Sequence, residues 1–213
     1  MATRIMLGES LAEVKPANYQ APTHVAVKVP VFPFIKFKDS DPKLGPEMRS
    51  TGEVMGIDKA FDMAFAKAQV GAGNKLPLSG QVFISVNDAD KPRALEVARL
   101  YVDMGFTLIA TGGTAAYLKT HGLPVLLINK KHEGAPHAEE LINSGQVQLI
   151  INTPIGEEAL MDDSYIRKAA VVHNIPWAAT ISGAKAIAEA VSGLKKQGFS
   201  VKSLQEYLNL VKR

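Results

Sequence analysis

Short apolar runs alternate with stretches of helical periodicity from residue 77 onwards. The apolar runs predict strands at Gln81–Val86, Phe106–Ala110, Pro124–Ile128, Val147–Asn152 and Trp177–Thr180. The periodic stretches predict helices at Asp90–Met104, Thr114–Thr120, His137–Ser144, Asp163–His173, Ala184–Lys196 and about Ser203–Val211. Because strands and helices alternate and the strands are mostly apolar, we expect an α/β fold. It should contain a five-stranded, mainly parallel sheet with helices on both faces.

The first third of the chain follows a different pattern. Residues 1–14 predict a short amphipathic helix interrupted at Gly8, and Thr23–Val29 alternates like a strand. Prolines at positions 30, 33, 42 and 46 disfavour regular structure over most of the following stretch. A helix pattern then runs from Ile57 to Gln69 and stops at Gly71–Lys75, which has the composition of a linker. We expect this opening segment to be the irregular tail of a larger packing unit.

Composition narrows the range of functions. The chain has 213 residues, a net charge of +3 and no cysteine, so disulfides and thiolate metal sites are excluded. Its densest basic groups, Lys130–Lys131 and Lys195–Lys196, are too short to predict a nucleic-acid track. No apolar run approaches the roughly 20 residues of a membrane span. We therefore expect a cytoplasmic protein that binds neither nucleic acid nor membrane.

The residues that follow the predicted strands are the candidates for ligand binding, because ligands of open parallel sheets bind beyond the carboxyl ends of the strands. These residues are Ser85, Asn87, Thr111–Thr114, Asn129, Lys130, Asn152, Thr153, Thr180 and Ser182, with Lys91 just inside the first helix of the sheet. The set contains hydroxyls, amides and lysines but no carboxylate. It suits a bound phosphate better than acid–base catalysis, which needs a titratable group at the reacting atom.

The turn Thr111-Gly112-Gly113-Thr114 is the most informative of these segments. Its glycines let the backbone approach a ligand closely, and the following helix offers unpaired N–H groups and the positive end of its dipole. These are the requirements of a phosphate site. The alternative is a plain strand-to-helix turn in which Thr114 only caps the helix. The spacing alone does not decide between the two.

Two sets of residues resemble one family. The run Leu44–Gly56, followed by Phe61–Gln69, resembles the end of the second synthetase half of the carbamoyl phosphate synthase large subunit. The residues that resemble the C-terminal, methylglyoxal-synthase-like allosteric domain of that subunit are Ser85, Lys91, Thr111–Thr114, Asn129–Gly134 and Ile150–Thr153. The resemblance implies that residues 1–75 are the C-terminal end of an ATP-grasp synthetase half. It implies that residues 76–213 are the allosteric domain.

The family is an ATP-dependent carbon–nitrogen ligase. It makes carbamoyl phosphate from ATP, bicarbonate and glutamine-derived ammonia for arginine and pyrimidine biosynthesis. The parent enzyme uses ATP with Mg or Mn, and the carboxylates for that chemistry lie upstream, so this chain alone is expected to be non-catalytic and without a cofactor. The resemblance also implies UMP or IMP as effector, association with the rest of the large subunit and with the glutaminase small subunit, and a homo-oligomer.

The resemblance assigns a set of residues to the effector's phosphate and nucleoside. They are Ser85, Lys91, Thr111, Gly112, Gly113, Thr114, Lys130, Asn152 and Thr153. The sequence departs from the family pattern at Pro154 and Glu157, where a threonine and an arginine are expected. It also places Val29, Trp177 and Ala179 where the family has an ornithine-binding glutamate, tyrosine and threonine. The first departures weaken an anion site, and the others leave ornithine recognition open.

Two alternatives remain. An enzyme of the methylglyoxal synthase type would need a catalytic aspartate after the third predicted strand, where the carboxylates are those of Glu133 and Glu139-Glu140. His132 and His137 in the same region are better explained as surface or helix-start residues than as acid–base groups or metal ligands. The second alternative is a structural module for oligomerisation that no longer uses its pocket.

Overall fold

The computed structural model describes residues 1–15, 21–36, 42, 49–130, 133–156 and 163–209. The helices and strands of its first part are α1 (Ala2–Met6), α2 (Leu11–Val14), β1 (Val25–Val31), β2 (Gly52–Asp58) and α3 (Phe61–Gly71). The predicted interruption at Gly8 falls between α1 and α2. β1 and β2 pair antiparallel, so that Val25 lies opposite Asp58 and Val31 lies opposite Gly52.

Two sequence expectations for this part are wrong. The pattern predicts no strand at residues 52–58, and it starts the helix at Ile57, whereas Ile57 still belongs to β2 and α3 begins at Phe61. β2 is difficult to recognise from the sequence because its apolar and polar residues alternate only weakly. Pairing with β1 and contact with α3 stabilise this strand. At Gly56 an added Cβ would lie 2.1 Å from the carbonyl oxygen of Ala64, so glycine allows β2 to pass close under α3.

The second part is built on a parallel sheet. Its strands are β3 (Gln81–Val86), β4 (Thr107–Thr111), β5 (Val125–Ile128), β6 (Leu149–Thr153) and β7 (Trp177–Ala178). Their order is β5-β4-β3-β6-β7, and each neighbouring pair is parallel. Each strand overlaps the apolar run that predicts it, so the expected five-stranded parallel sheet is confirmed, with β3 at its centre.

Helices cover both faces of this sheet. They are α4 (Lys91–Asp103), α5 (Gly112–Thr120), α6 (Ala138–Asn143), α7 (Ser164–Val172) and α8 (Ile181–Gln197), and a last helix, α9 (Leu204–Asn209), follows them in the chain. Val82 and Ile84 of β3 pack in one core with α4, α5 and α8. Phe83 packs in the opposite core with α6 and α7. The two-sided α/β architecture is therefore confirmed. Within the described ranges, no helix has the length and apolar character that crossing a bilayer requires.

The first part packs on the sheet domain through α3, which lies against α8. The approach is close at Gly193 of α8, where an added Cβ would lie 2.7 Å from Asp62 Oδ2 and 3.0 Å from Met63 Sδ. Glycine at this position therefore sets how near α3 can come. Residues 44–48 of the synthetase-like run, like Lys131, His132 and Glu157, lie outside the described residues.

The last helix, α9, also contacts the first part. Its Tyr207 is 5% exposed, and the Tyr207 hydroxyl lies 3.2 Å from Lys67 Nζ of α3. The same ammonium pairs with Asp58 Oδ2 at 2.7 Å, and both charged side chains are largely shielded from water. One lysine thus joins β2, α3 and α9.

We expect Gly193→Ala to lower the free energy of unfolding by up to about 2 kcal/mol. The cost of displacing Asp62 and Met63, or of moving α3 away from α8, should exceed the roughly 1 kcal/mol that alanine gains over glycine inside a helix. Chemical denaturation of the purified chain measures the change. Gly112→Ala is the matched control, since a Cβ there meets no atom within 4 Å. A Gly193→Ala protein as stable as its parent would show that the contact tolerates a side chain.

The Asp58–Lys67 pair predicts a pH-dependent contribution to stability. Burial alone would raise the pKa of Asp58, but the hydrogen bonds from Lys67 and from the Lys59 N–H, together with the charge of Lys67, outweigh it and hold that pKa below its ordinary value. This contribution is complete above the unfolded pKa of about 3.9 and is lost as the pH falls through the lower folded pKa. Asp58→Asn should cost about 1–2 kcal/mol at neutral pH, between the effects of exposed and fully buried pairs.

Urea denaturation of both proteins between neutral and acidic pH tests this expectation, because the difference between parent and Asp58→Asn should shrink on acidification. Glu53→Gln is the control, since its pair with Lys28 is 2.9 Å long but both side chains are mainly exposed. That change should stay within about 0.5 kcal/mol. Equal effects of the two substitutions would contradict the special role of Asp58.

Candidate functional site

The carboxyl ends of β3, β4 and β6 bring several of the predicted site residues together. Ser85 of β3 lies opposite Asn152 of β6, and Val86 lies opposite Thr153. On the other side of β3, the Ser85 and Thr111 hydroxyl oxygens are 3.1 Å apart. Asn152 and Thr153 are 2% and 4% exposed, so they lie beneath the surface at this edge. The predicted convergence at one edge of the sheet is therefore present in the fold.

The first turn of α5 forms the centre of this edge. The helix begins at Gly112, so the two glycines belong to the helix itself and not to a turn before it. Thr111 occupies the N-cap position, but its side chain makes no capping hydrogen bond and instead lies beside Ser85. The first-turn N–H groups are therefore left without the usual side-chain acceptor. Such a helix end offers donors and positive potential to an anion.

The Thr114 hydroxyl neither caps α5 nor points to a ligand, which are the two roles expected of it. It accepts a hydrogen bond from the Val86 N–H at 3.2 Å and donates one to the Val86 carbonyl at 3.3 Å. Thr114 is buried and does not cap α5, because the N-cap residue is Thr111. Its hydroxyl proton is committed to the backbone of β3. In this arrangement Thr114 can serve an anion through its backbone N–H, while its side chain ties α5 to the sheet.

Lys91 reaches the same helix end from the start of α4. A Cβ built on Gly113 would lie 3.2 Å from Lys91 Nζ, so the glycine leaves room for the ammonium beside the first turn of α5. Lys91 Nζ also lies 2.6 Å from Asp88 Oδ1. The hydrogen bond and charge of Lys91 hold the pKa of Asp88 below its ordinary value. The expectation that no carboxylate belongs to this edge is therefore wrong at Asp88.

Amide side chains tie the neighbouring strand ends together. Asn87 accepts a hydrogen bond from the Asp90 N–H at 3.1 Å and donates one to the Thr153 carbonyl at 2.9 Å. Asn152 donates to Asp163 Oδ2 at 3.0 Å, just before α7. Asp163 is thus a second carboxylate that the strand-end pattern does not reveal, because it is distant in sequence from β6. One N–H of the Asn152 amide is used by the protein.

Lys130 lies at the β5 side of the edge. Lys130 comes two residues after Ile128, which pairs with Thr111 in the sheet. The Lys130 side chain is exposed. The Lys130 backbone N–H donates to Glu133 Oε2 at 2.7 Å, and the Glu133 N–H donates back to the Lys130 carbonyl at 2.9 Å. Glu133 therefore closes a local loop.

The β7 side of the edge is occupied by contacts within the protein. The Thr180 hydroxyl accepts a hydrogen bond from the Gly183 N–H at 3.1 Å and caps α8. Arg93 Nη2 donates to Ser182 Oγ at 3.2 Å. Arg93 is a cation that the strand-end pattern omits, although it follows Lys91 by two residues in the same helix. These residues therefore lie at the border of the candidate site, and they form hydrogen bonds within the protein.

Two cavities lie away from this edge. One, of about 620 Å³, lies between α3, α4 and α8, and the other, of about 630 Å³, lies between the first part and the α7–β7 region. Val29 and Trp177 both line the second cavity, together with Phe34, Asn174 and Ile187. Two of the ornithine-related positions therefore line the same cavity. Among the described lining residues there is no carboxylate, and Ala179 is not one of them.

The comparison with protein families defines the class of the protein. Residues 93–179 match the family model described as "MGS-like domain". This range runs from the first turn of α4 through β7, and it includes β4, α5 and β6, which carry Thr111–Thr114 and Asn152. The sheet domain is therefore an MGS-like domain.

Curated relatives identify the larger protein to which such a domain belongs. The chain is 46% identical over 212 residues to the carbamoyl phosphate synthase large chain of Gemmatimonas aurantiaca, an alignment that spans 100% of this chain and 19% of that protein. For the large chain of Nostoc sp. the identity is 49% over 207 residues, with 97% and 19% covered. A protein of Aquifex aeolicus named "Carbamoyl phosphate synthase large chain, C-terminal section" is 42% identical, with 99% and 43% covered.

The chain belongs to the carbamoyl phosphate synthase large-chain family and corresponds to a C-terminal fragment of it, which confirms the resemblance stated above. It spans about a fifth of the length of the Gemmatimonas and Nostoc relatives.

The bonds of Thr114 predict a structural phenotype for its substitution. Thr114→Val should lower the free energy of unfolding by about 1–3 kcal/mol, because two polar groups of Val86 lose their hydroxyl partner inside the protein. Thr107→Val, at the exposed start of β4, is the matched control and should change little. Thermal and urea denaturation of the three proteins measures the effect. Equal stability of Thr114→Val and its parent would show that the hydrogen bonds between Thr114 and Val86 do not stabilise the fold.

Proposed function

We propose that this chain is the regulatory part of a carbamoyl phosphate synthase large chain and that the edge described above binds the phosphate of a nucleotide monophosphate, UMP or IMP. The observation that carries the proposal is the meeting of Lys91 Nζ with the uncapped first turn of α5 at Gly113. A phosphate monoester carries about −1.5 to −2 charges at pH 7. It gains most where backbone N–H groups and an ammonium face it together.

The remaining predicted residues divide into two groups. The N–H groups of Gly112, Gly113 and Thr114 and the ammonium groups of Lys91 and Lys130 would face the phosphate. Ser85, Thr111, Asn152 and Thr153 would complete the floor toward the nucleoside, because they line the adjoining ends of β3, β4 and β6.

The chain's place in the parent enzyme is part of the same proposal. Residues 1–75 would end the second ATP-grasp half, and residues 76–213 would form the allosteric domain. The rest of the large subunit and the glutaminase small subunit would supply the ATP-dependent chemistry, with Mg or Mn, for arginine and pyrimidine biosynthesis in the cytoplasm. This chain would be non-catalytic and would contribute to a homo-oligomer.

Coupling between an effector and a distant active site requires a connection that both can influence. α4 starts at Lys91 and packs against α8, and α8 packs against α3 of the first part. A change at the start of α4 can therefore reach the synthetase-like segment through two packed helices. The contact at Gly193 is the last step of this connection within the described residues.

We expect Lys91→Gln and Lys130→Gln to weaken UMP or IMP binding by about 1–3 kcal/mol each, the scale of a lost charge-assisted hydrogen bond. Isothermal titration of the chain with each nucleotide measures the change. Lys119→Gln, in the last turn of α5, removes the same charge at the opposite end of that helix and should bind like the parent. Unchanged affinity of both site variants would show that the phosphate binds elsewhere.

The same proteins distinguish the alternatives. If neither nucleotide at millimolar concentration gives a heat of binding or a shift in melting temperature, a purely structural module is favoured. Measurable conversion of dihydroxyacetone phosphate to methylglyoxal would favour the enzyme alternative.

A further inference from the structure

We propose that Asp88 competes with the effector's phosphate for Lys91 and thereby sets the affinity of the site. The inference rests on the proposed function and adds to it a residue that opposes binding. Asp88 belongs to none of the nine residues assigned to the effector above.

The geometry places both anions at one ammonium. Asp88 Oδ1 lies 2.6 Å from Lys91 Nζ, and the same nitrogen lies beside Gly113 at the first turn of α5. A phosphate held by that turn and by Lys91 would therefore lie next to the Asp88 carboxylate. An ammonium has three donors and can face both groups, but the two anions repel each other at that distance.

The two partners of the ion pair differ in how firmly the protein holds them. The Lys91 side chain is 17% exposed, whereas the Asp88 side chain is 94% exposed. The lysine stays at the helix end because its stem is packed, and the carboxylate stands in water. Phosphate binding can therefore displace Asp88 without moving Lys91. The attraction between the Asp88 and Lys91 side chains is then lost, and this loss lowers the affinity for phosphate.

Asp90, in the same short helical turn, does not share this role. Its Oδ2 accepts a hydrogen bond from Asn87 Nδ2 at 2.7 Å, and Asn87 in turn joins the ends of β3 and β6. The turn thus contains one carboxylate that maintains the fold and one that faces the ligand's cation. Asp88 can consequently be changed with little effect on the strand ends.

Titration of the purified chain with inorganic phosphate and with UMP tests the proposal. Asp88→Asn should tighten binding of both ligands about two- to fivefold at low salt, the range that corresponds to an exposed charge pair. The gain should shrink as ionic strength rises. In the Lys91→Gln background, Asp88→Asn should give a smaller gain than it gives in the parent, because the Lys91 ammonium is no longer there to compete for.

Asp103→Asn is the matched control. It removes the same charge at the far end of α4, about 18 Å away along the helix, and should leave both affinities unchanged. Melting temperatures of all variants show whether the fold is retained.

The outcomes separate the two proposals. If the parent chain binds UMP or phosphate and Asp88→Asn binds equally or more weakly, the competition is refuted while the proposed function stands; weaker binding would mean that Asp88 positions Lys91. If neither the parent nor Asp88→Asn binds either ligand, the proposed function and the competition fail together. Tighter binding by Asp88→Asn alone, with Asp103→Asn unchanged, supports both.

Discussion

The parallel direction of all five sheet strands determines where the candidate site lies. Parallel strands carry their carboxyl ends to one edge, and because helices bury both faces, that edge is where backbone and polar side chains can meet a ligand. α4, α5 and α8 each start at the same edge, immediately after a strand or a short turn. Their N-terminal dipole ends therefore add to one another there. β3 has the central position, and its Ser85 connects the β4 and β6 sides.

The sheet domain and the synthetase-like segment form a packed pair. α8 has 17 residues, which corresponds to a rod of about 25 Å that leads from the capped end at Thr180 to its contact with α3. Tyr207 of α9 adds a second connection through Lys67. The short helical turn Phe34–Lys36 of the proline-containing stretch also lies against α7, and Asn174 Nδ2 donates to the Gly73 carbonyl at 3.3 Å. The domain that carries the candidate effector site thus contacts the first part at several places, and the proline-containing stretch is one of them.

Sequence patterns predict the sheet well because its strands are apolar along their length; the run Gln81–Val86 coincides with β3. They fail at β2, whose stability comes from β1 and from the glycine contact at Gly56 with α3. They also place Thr114 at the site without revealing which way its hydroxyl points. Asp88 could have been recognised, since an acid three residues before a lysine at a helix start is a typical ion pair. Asp163 could not, because only the folded chain brings it to Asn152.

The two hydrogen bonds between Thr114 and Val86 give the candidate site one fixed side and one adjustable side. The first turn of α5 cannot retreat from the central strand unless both bonds break, so it presents the same set of donors to every ligand. The opposite side consists of the start of α4, where an exposed carboxylate and a packed lysine share one short contact. Differences in size or charge between ligands must therefore be absorbed on the α4 side. Because α4 packs on α8, that is also the side from which a rearrangement can spread into the rest of the molecule.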